Sequence, residues 1–499
     1  MSYINKYDAF RIGKQGSVFD ECFKFKARAD CQELIINKDY RCDDIGDQNQ
    51  LAQILMFRFL DSYLRNFKYE KNVSATSCLE IMLSIDHAHE NHKISWDPMV
   101  SGTRLLKYLY FKYVVSDFVG EDLLEKLNAR INYTIDRLVK IKYHNSNHYL
   151  QGLHALVAAS VLEGRSDLEY FRDLAVSMFC DLFNEEGFYK ENSAEYHFYA
   201  ISMIKDFDSC GWYASDQLSD LLVKAERFNH ILFARVGEVF AFGDTDRDLV
   251  KRQVSKGVIK IGDYDSGKLN VKPITGIVRS RTADDRYSSE LMLVNFYHGQ
   301  SHNHHDYCAF EWFVNDGWVL LDPGKFSYSK SEKSEYFYKD KSHNTVNFSS
   351  FGHDYKNSLK YVGGEDNVAF NKVIGGIADE KFVFRRELKH GPNYIDLKDT
   401  LIFQKASRKS KIISSFNVSP HYSEVERVSN NELLFSSEKT KFRISSNKRL
   451  SVLFGNENPC FGWVSEKYNT SVPCWYVYVD IAEEFNMIDL KIKFEILNF

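Results

Sequence analysis

The densest run of chemically capable side chains is His302-Asn303-His304-His305-Asp306, followed by Asp322-Pro323-Gly324 and His343-Asn344-Thr345. On an extended strand alternate residues share a face. That places His302, His304 and Asp306 together and turns Asn303, His305 and Tyr307 away. Two imidazoles and a carboxylate on one face suit a transition metal, general acid–base work, or both. His304, Asp322 and His343 make a three-ligand zinc site with a position left for another ligand. Tyr328 and Tyr336 fall in the loop between Asp322 and His343, where they either project over the same cleft or pack as ordinary aromatics. A histidine-rich structural strand is the competing reading, and the three convergent His/Asp segments weaken it.

Two more constellations lie upstream. His144-Asn145-Ser146-Asn147-His148 leads into the apolar run 150–162, which predicts a helix N-terminus. Free N–H groups and the helix dipole favour an anion there. Plain capping by Asn145 or Ser146 is the simpler account. The segment from Glu191 to His197 sets Tyr196 beside His197, a phenol able to donate a proton, although helix packing explains the pair equally simply. Gly243-Asp244-Thr245-Asp246 reads as a turn or a cap.

The elements that must position these groups change character along the chain. Only Pro98 lies in the first 272 residues, and the other six of the seven prolines follow. Proline is costly inside helices and common in turns. A helical first half and a strand-and-turn second half are therefore predicted. Leu123, Leu127, Ile131, Ile135 and Leu138 recur at helical steps, as do Phe171, Leu174, Met178 and Leu182 after a capping box at Ser166 and Glu169. Residues 51–65 and 104–118 are also helix-like. Many amphipathic helices joined by short loops suit an antiparallel helical array. Residues 289–297, 309–314 and 318–321 read as strands, with Asn315-Asp316-Gly317 as a hairpin turn, and 471–499 alternates as well. The predicted organisation is α+β, with a helical domain over 1–250, a linker over 251–270 and a strand domain over 271–499.

Composition narrows the function classes. The 499 residues are 44% hydrophobic and 27% charged, with a net charge of −5 and no basic block, so nucleic acid is not an expected partner. A polyanionic substrate would need a locally basic or hydrogen-bonding cleft. Nine cysteines without a C-x-x-C pattern are no disulfide framework and suit a reducing compartment. The opening MSYINKYDAFRIGK has no apolar core of a signal peptide, and no run of eighteen apolar residues exists, so a cytoplasmic location without membrane spans is expected.

Taken in order, these segments resemble the heparinase II/III-like polysaccharide lyases. The family carries an Asn-His helix start, Glu-x-Ser-x-x-Tyr-His, Gly-Asp-x-Asp, His-x-His-x-Asp-x-x-x-Phe-Glu, Asp-Pro-Gly, Ser-Tyr-Ser, Tyr-Phe and His-Asn-Thr. Here these are Asn147-His148, Glu191 to His197, Gly243 to Asp246, His302 to Glu311, Asp322 to Gly324, Ser327 to Ser329, Tyr336-Phe337 and His343 to Thr345. Ala194 stands where the family often has Pro, Tyr338 where it often has Arg, and Ser146 where a second Asn often precedes Asn147.

The resemblance implies an N-terminal (α/α) toroid of antiparallel helices followed by a C-terminal antiparallel β-sandwich. It implies β-elimination on a uronic-acid-containing poly- or oligosaccharide. In that chemistry Asn147 is expected to neutralise the substrate carboxylate with help from His148. Tyr196 is the expected general acid to the leaving O4 and a candidate base on the same face, with His302 the second candidate base and Tyr328 the third. Glu191, His197 and Tyr336 are expected to contact substrate, and zinc on His304, Asp322 and His343 to stiffen the segment presenting His302. A homodimer is allowed for. Two rivals remain. One is a non-catalytic or biosynthetic glycan-binding protein of a capsule pathway. The other is a zinc-dependent hydrolase, although the His that follows Asp in the metallo-β-lactamase signature is Tyr307 here.

Overall fold

Helix caps and proline placement sort the chain as its composition predicts. The computed structural model describes residues 7–19, 22–27, 31–40, 45, 47–70, 72–213, 215–261, 268–296, 301–328, 331–351, 358–404, 412–481 and 487–498. Residues 1–6, Cys42, Tyr297, Ser329, 262–267 of the expected linker, and 482–486 with Phe499 of the alternating C-terminal stretch lie outside the described residues. Contacts divide the chain into two units, Met1–Leu182 with Ser202–Leu222, and Phe183–Ile201 with Val223–Phe499.

The first unit is mainly helical. Its helices include Gln48–Leu55, Ala75–Ala88, Pro98–Tyr110, Glu121–Val139, Asn147–Glu163 and Leu168–Leu182. Asp47, Ser74, Asp97 and Ser146 each accept an N–H of the first turn, and Pro98 occupies the first turn after Asp97. Each cap satisfies a donor that the helix itself leaves free. Gly102 and Gly152 allow two helices to touch: a Cβ on Gly102 would stand 2.8 Å from the Gln151 carbonyl oxygen. The helix over 168–182 opens on Asp167, whose carbonyl accepts from Phe171 N, while Glu169 pairs with Arg172 at 2.6 Å. The helix thus opens one residue beyond the start expected from the capping box at Ser166 and Glu169. Three short strands, Ser17–Phe19, Cys22–Phe25 and Leu34–Ile36, precede the helices and have no counterpart in the sequence reading.

The second unit carries two eight-stranded antiparallel sheets among its described residues. One runs through Lys441–Ser446, Met487–Asn498, Tyr394–Phe403, Phe382–His390 and Asn371–Ala378; the other through Trp475–Ile481, Ile412–Val418, Gly317–Leu320, Ala309–Val314, Ser288–Val294 and Ile277–Ala283. Side chains from both sheets, including Phe310, Trp312, Phe384, Leu388, Leu397, Phe416 and Phe494, share one apolar core. Period-two alternation is strict along 382–390, where Phe382, Phe384, Arg386, Leu388 and His390 are buried and Val383, Arg385 and Lys389 exposed. The predicted hairpin is present, with Asn315 in the left-handed conformation between Ala309–Val314 and Gly317–Leu320.

Every residue of Ala309–Val314 is buried. One face, Phe310, Trp312 and Val314, enters the sandwich core. On the other face Ala309 and Phe313 pack against Phe188, Phe198, Phe228, Phe240 and Phe242. The segments 183–201 and 223–250 thereby join the strands through their own core, although the sequence places them in the helical half. The helix Arg247–Ser255 reaches into the expected linker.

The buried Arg386 is held by both oxygens of Asp399, at 2.8 and 2.7 Å, and donates to the carbonyls of Cys308 and Asn344. It ties the sandwich to the loop that follows His343. Removing one partner of a buried pair leaves an uncompensated charge, which costs about 3–5 kcal/mol. Asp399→Ala is expected to lower unfolding free energy by about that much in a urea titration.

Candidate active site

The turn Gly243-Asp244-Thr245-Asp246 organises the site. Gly243 has φ +52, and a Cβ there would lie 2.4 Å from both the Asn192 and His302 carbonyl oxygens. Only glycine lets the three backbone segments meet so closely. Asp244 N donates to the His302 carbonyl, and Ser193 Oγ to the Asp244 carbonyl, at 2.9 and 2.8 Å. The Asp244 carboxylate is buried. Its Oδ2 meets His302 Nδ1 at 2.7 Å and accepts from the Tyr328 hydroxyl at 3.0 Å, while Oδ1 meets His304 Nε2 at 3.1 Å.

His302 and His304 do converge, but not on a strand. Residues 301–308 form turns and His302 has φ +57, so the predicted alternation does not apply. The two rings come together because each claims one oxygen of the same carboxylate. Asp306 points elsewhere, its Oδ2 accepting from Gly243 N at 2.9 Å.

Tyr196 sits in the first turn of the helix Ala194–Ser209. Its ring stacks on His302 at a centroid separation of 3.5 Å, and its hydroxyl lies 2.9 Å from that of Tyr328. Asp244 only accepts, so the Tyr328 proton goes to it and Tyr196 donates to Tyr328. The Tyr328 ring is half-exposed although its hydroxyl reaches inward. Burial, with neighbouring carboxylates, raises both phenols well above their ordinary range, so both are neutral at physiological pH. Burial opposes ionisation of Asp244, but hydrogen bonds from His302 and His304 and the charge of Lys325 outweigh it and hold the carboxyl far below the usual range. Glu191 lies 3.5 Å from His302 Nε2.

Several residues enter the site without having been singled out. Lys325 is buried, with its ammonium 4.2 Å from the Tyr328 ring centroid and 5.7 Å from that of Tyr196. It directly follows Asp322-Pro323-Gly324, so position alone could have suggested it. The Tyr338 ring lies 4.6 Å from His304. Tyr468 accepts from Tyr328 N and donates its own N–H to Asp246, and no nearby motif announces it.

Two expected substrate contacts are corrected. His197 is fully buried: Nδ1 accepts from Tyr189 N and Nε2 donates to the Ala225 carbonyl, both at 3.3 Å. Its neighbour Tyr196 faces the site, and one residue along a helix turns the ring into the core. Tyr336 is buried among Phe337, Cys460 and Phe461, and its hydroxyl accepts from Gly462 N. The segment expected as loop is the helix Glu332–Tyr338, whose inner face Tyr336 occupies.

Asn147 and His148 belong to the first unit. Ser146 caps their helix, as the simpler reading held, and both open its first turn. His148 Nδ1 is 3.1 Å from each oxygen of Asp97.

The expected zinc ligands meet the chemistry of the ion in part. His343 Nδ1 bonds Asp322 Oδ2 at 2.6 Å, and the His304 and His343 rings lie 5.4 Å apart. His304 Nδ1 and His343 Nε2 are both buried without a hydrogen-bond partner, as is Asp306 Oδ1. Stripped imidazole nitrogens beside a carboxylate fit the N/O preference of zinc. As the side chains stand, no group of three or more His, Cys, Asp or Glu among the described residues is disposed to hold a metal ion. Asn344 and Thr345 are stitching residues, Asn344 donating to the Phe310 and Leu321 carbonyls and Thr345 to that of Tyr307.

Residues 276–473 match the family model described as Heparinase II/III-like, C-terminal. The chain carries a heparinase II/III-like domain. No curated protein matches the chain in sequence. Among solved structures, the chain is similar to a heparan sulfate lyase HepC mutant from Pedobacter heparinus, with 15% identity over 95% of this chain and 81% of the other and a TM-score of 0.69. A heparinase III with methylated lysines aligns at 14% identity over 99% and 85%, with a TM-score of 0.71. A chondroitinase AC lyase aligns at 10% over 92% and 78%, with a TM-score of 0.51. These likenesses show the fold, an (α/α) toroid followed by an antiparallel β-sandwich. The heparinase II/III-like domain supplies His302, Tyr328 and the His343 segment, while Tyr196 and Asp244 come from upstream.

Burial drives the His197 pKa down to about 3 from its ordinary 6.5. Between those values the unfolded chain binds the proton and the folded chain does not, so stability falls as pH drops through this window. His197→Leu is expected to reduce the acid slope of unfolding free energy by up to about 1.4 kcal/mol per pH unit, measured by urea titrations from pH 7 to 4.5.

Proposed function

We propose that the protein is a polysaccharide lyase that cleaves a uronic-acid-containing glycan by β-elimination. The observation that carries this reading is the hydroxyl pair of Tyr196 and Tyr328, anchored on Asp244 beside the stacked His302. In the elimination a base takes the C5 proton, the electron pair forms the C4–C5 double bond, and O4 departs with a proton. Tyr196, kept neutral by burial, is the donor to O4. Once it has given up its proton, Tyr328 and through it Asp244 adjust the hydrogen bonding of the phenolate. His302 is the base: Asp244 holds its Nδ1–H, which leaves the Nε2 lone pair for C5–H. Lys325 supplies fixed positive charge against the anions that form.

The C5 proton is a poor acid while the adjacent carboxylate keeps its charge. We assign neutralisation of that carboxylate to Asn147, with His148 assisting. Support comes from their place in the first turn of a helix, where free N–H groups favour an anion. A preorganised donor of this kind contributes about 3–4 kcal/mol to the transition state.

His304, Asp322 and His343 are the residues that would hold zinc, with His304 Nδ1 and His343 Nε2 as the nitrogens available to it. Its contribution there would be to fix the turn that presents His302. His304→Ala is expected to lose bound zinc by elemental analysis and to lower the melting temperature of the zinc-loaded protein. A full metal complement in that variant refutes the assignment.

The deciding experiment offers uronic-acid polymers and oligomers and monitors the ultraviolet absorbance of an unsaturated uronate. The wild type is expected to generate it on at least one substrate. Tyr196→Phe is expected to lose at least about 10²-fold in rate while melting as the wild type does. Saturated products point to hydrolysis instead, and normal turnover by Tyr196→Phe removes that residue from the mechanism.

A further inference from the structure

The outward face of one sandwich sheet holds a groove of about 530 Å³, within the range typical of ligand sites. Among its lining residues are Lys372, Lys389, Lys398, Lys491 and Lys493, against two carboxylates, Glu387 and Asp396. The whole chain carries a net charge of −5, so this concentration runs against its composition.

Strand register mixes like and unlike pairs. Lys372 stands directly opposite Lys389, and Lys398 directly opposite Lys491. Like charges facing each other across strands destabilise a sheet. On their other sides Lys389 and Lys493 both face Asp396, and Lys398 faces Glu387. Acidic residues thus hold the lysines in place on the face. Lys372 has Glu387 at 3.5 Å and Glu365 at 3.8 Å, and Lys493 has Glu495 at 2.8 Å. Lys398 and Lys491 share the single carboxylate of Asp489, at 3.9 and 3.8 Å. The Lys389 ammonium lies over the Phe370 ring at 4.3 Å and 6.0 Å from that of Tyr394, while Lys493 is 5.8 Å from the Tyr394 ring.

Five neighbouring strands, from Asn371–Ala378 to Lys441–Ser446, contribute to the groove. The lysines stand on four of these strands, and at about 4.8 Å per strand they spread over roughly 14 Å. A row of that length matches a polymer with repeated anionic groups better than a single small anion. Ammonium groups beside part-exposed aromatic rings suit sugars, whose carboxylates or sulfates take the charges and whose apolar ring faces take the aromatics.

We propose that this groove binds a stretch of acidic polysaccharide, as a second glycan site built from residues other than those around Asp244. It rests on the acidic-glycan reading given above and adds a place where the polymer is held away from the point of cleavage.

The test uses the full chain carrying Tyr196→Phe, so that no polymer is cut during measurement. It is compared with the same chain bearing Lys389→Gln, Lys398→Gln, Lys491→Gln and Lys493→Gln. Affinity electrophoresis in gels containing heparin or polygalacturonate reads binding, with neutral dextran and single-stranded RNA as controls. The four substitutions are expected to weaken binding to at least one acidic glycan by about tenfold and to leave dextran migration unchanged. Both proteins are expected to melt cooperatively, which separates lost binding from a lost fold. Unchanged glycan affinity, no retention of the parent by either glycan, or tighter retention by RNA overturns the proposal. Failure of the lyase reading is recorded separately, as absence of ultraviolet product from the wild type.

Discussion

A carboxylate buried in protein persists only if hydrogen bonds and opposite charge replace its water. Asp244 meets that demand with His302, His304 and Tyr328, and with Lys325 nearby. Because the donors come from distant points in the sequence, satisfying one side chain assembles the site. Tyr328 in turn orients Tyr196, and the stacked Tyr196 ring fixes the plane of His302. The left-handed Gly243 is part of the same constraint, since only there does the backbone pass between the Asn192 and His302 carbonyls.

The sandwich supports this arrangement by having three distinct environments. Its interior is a shared apolar core. The reverse face of Ala309–Val314 is apolar as well, which lets helical segments dock through Phe188, Phe198 and Phe242. On that face Glu311 pairs with Arg247 and accepts the N–H groups of Ala241 and Asp322, joining the turn before Gly243 to the Asp322 loop. The outward face of the other sheet is polar, and strand register sets its lysines opposite one another and opposite Glu387 and Asp396. The first two environments explain how the site is held. The third carries charge that packing alone does not explain.

Much of this was legible from residue order. Periodicity and proline placement determined the helical and stranded regions, because they report which face of each element is buried. The hairpin at Asn315 followed from turn chemistry. Motif order marked out His302, Tyr196 and the heparinase-type fold. Residue 197 shows the limit: Tyr196 and His197 are adjacent in sequence, yet a helix sends neighbours in different directions, and only packing decided that His197 is core. Tyr336 was lost for the same reason, once its segment proved helical.

By itself, then, the sequence determined which side chains were available and the local form of most segments, since both depend on near neighbours in the chain. Tertiary structure decided which of them meet. His302 and His304 come together through turns around a shared carboxylate, Tyr468 arrives unannounced beside Lys325, and five lysines on four strands gather in one groove. Those contacts depend on register and on the balance of buried charge across the fold, quantities that no local pattern of residues records.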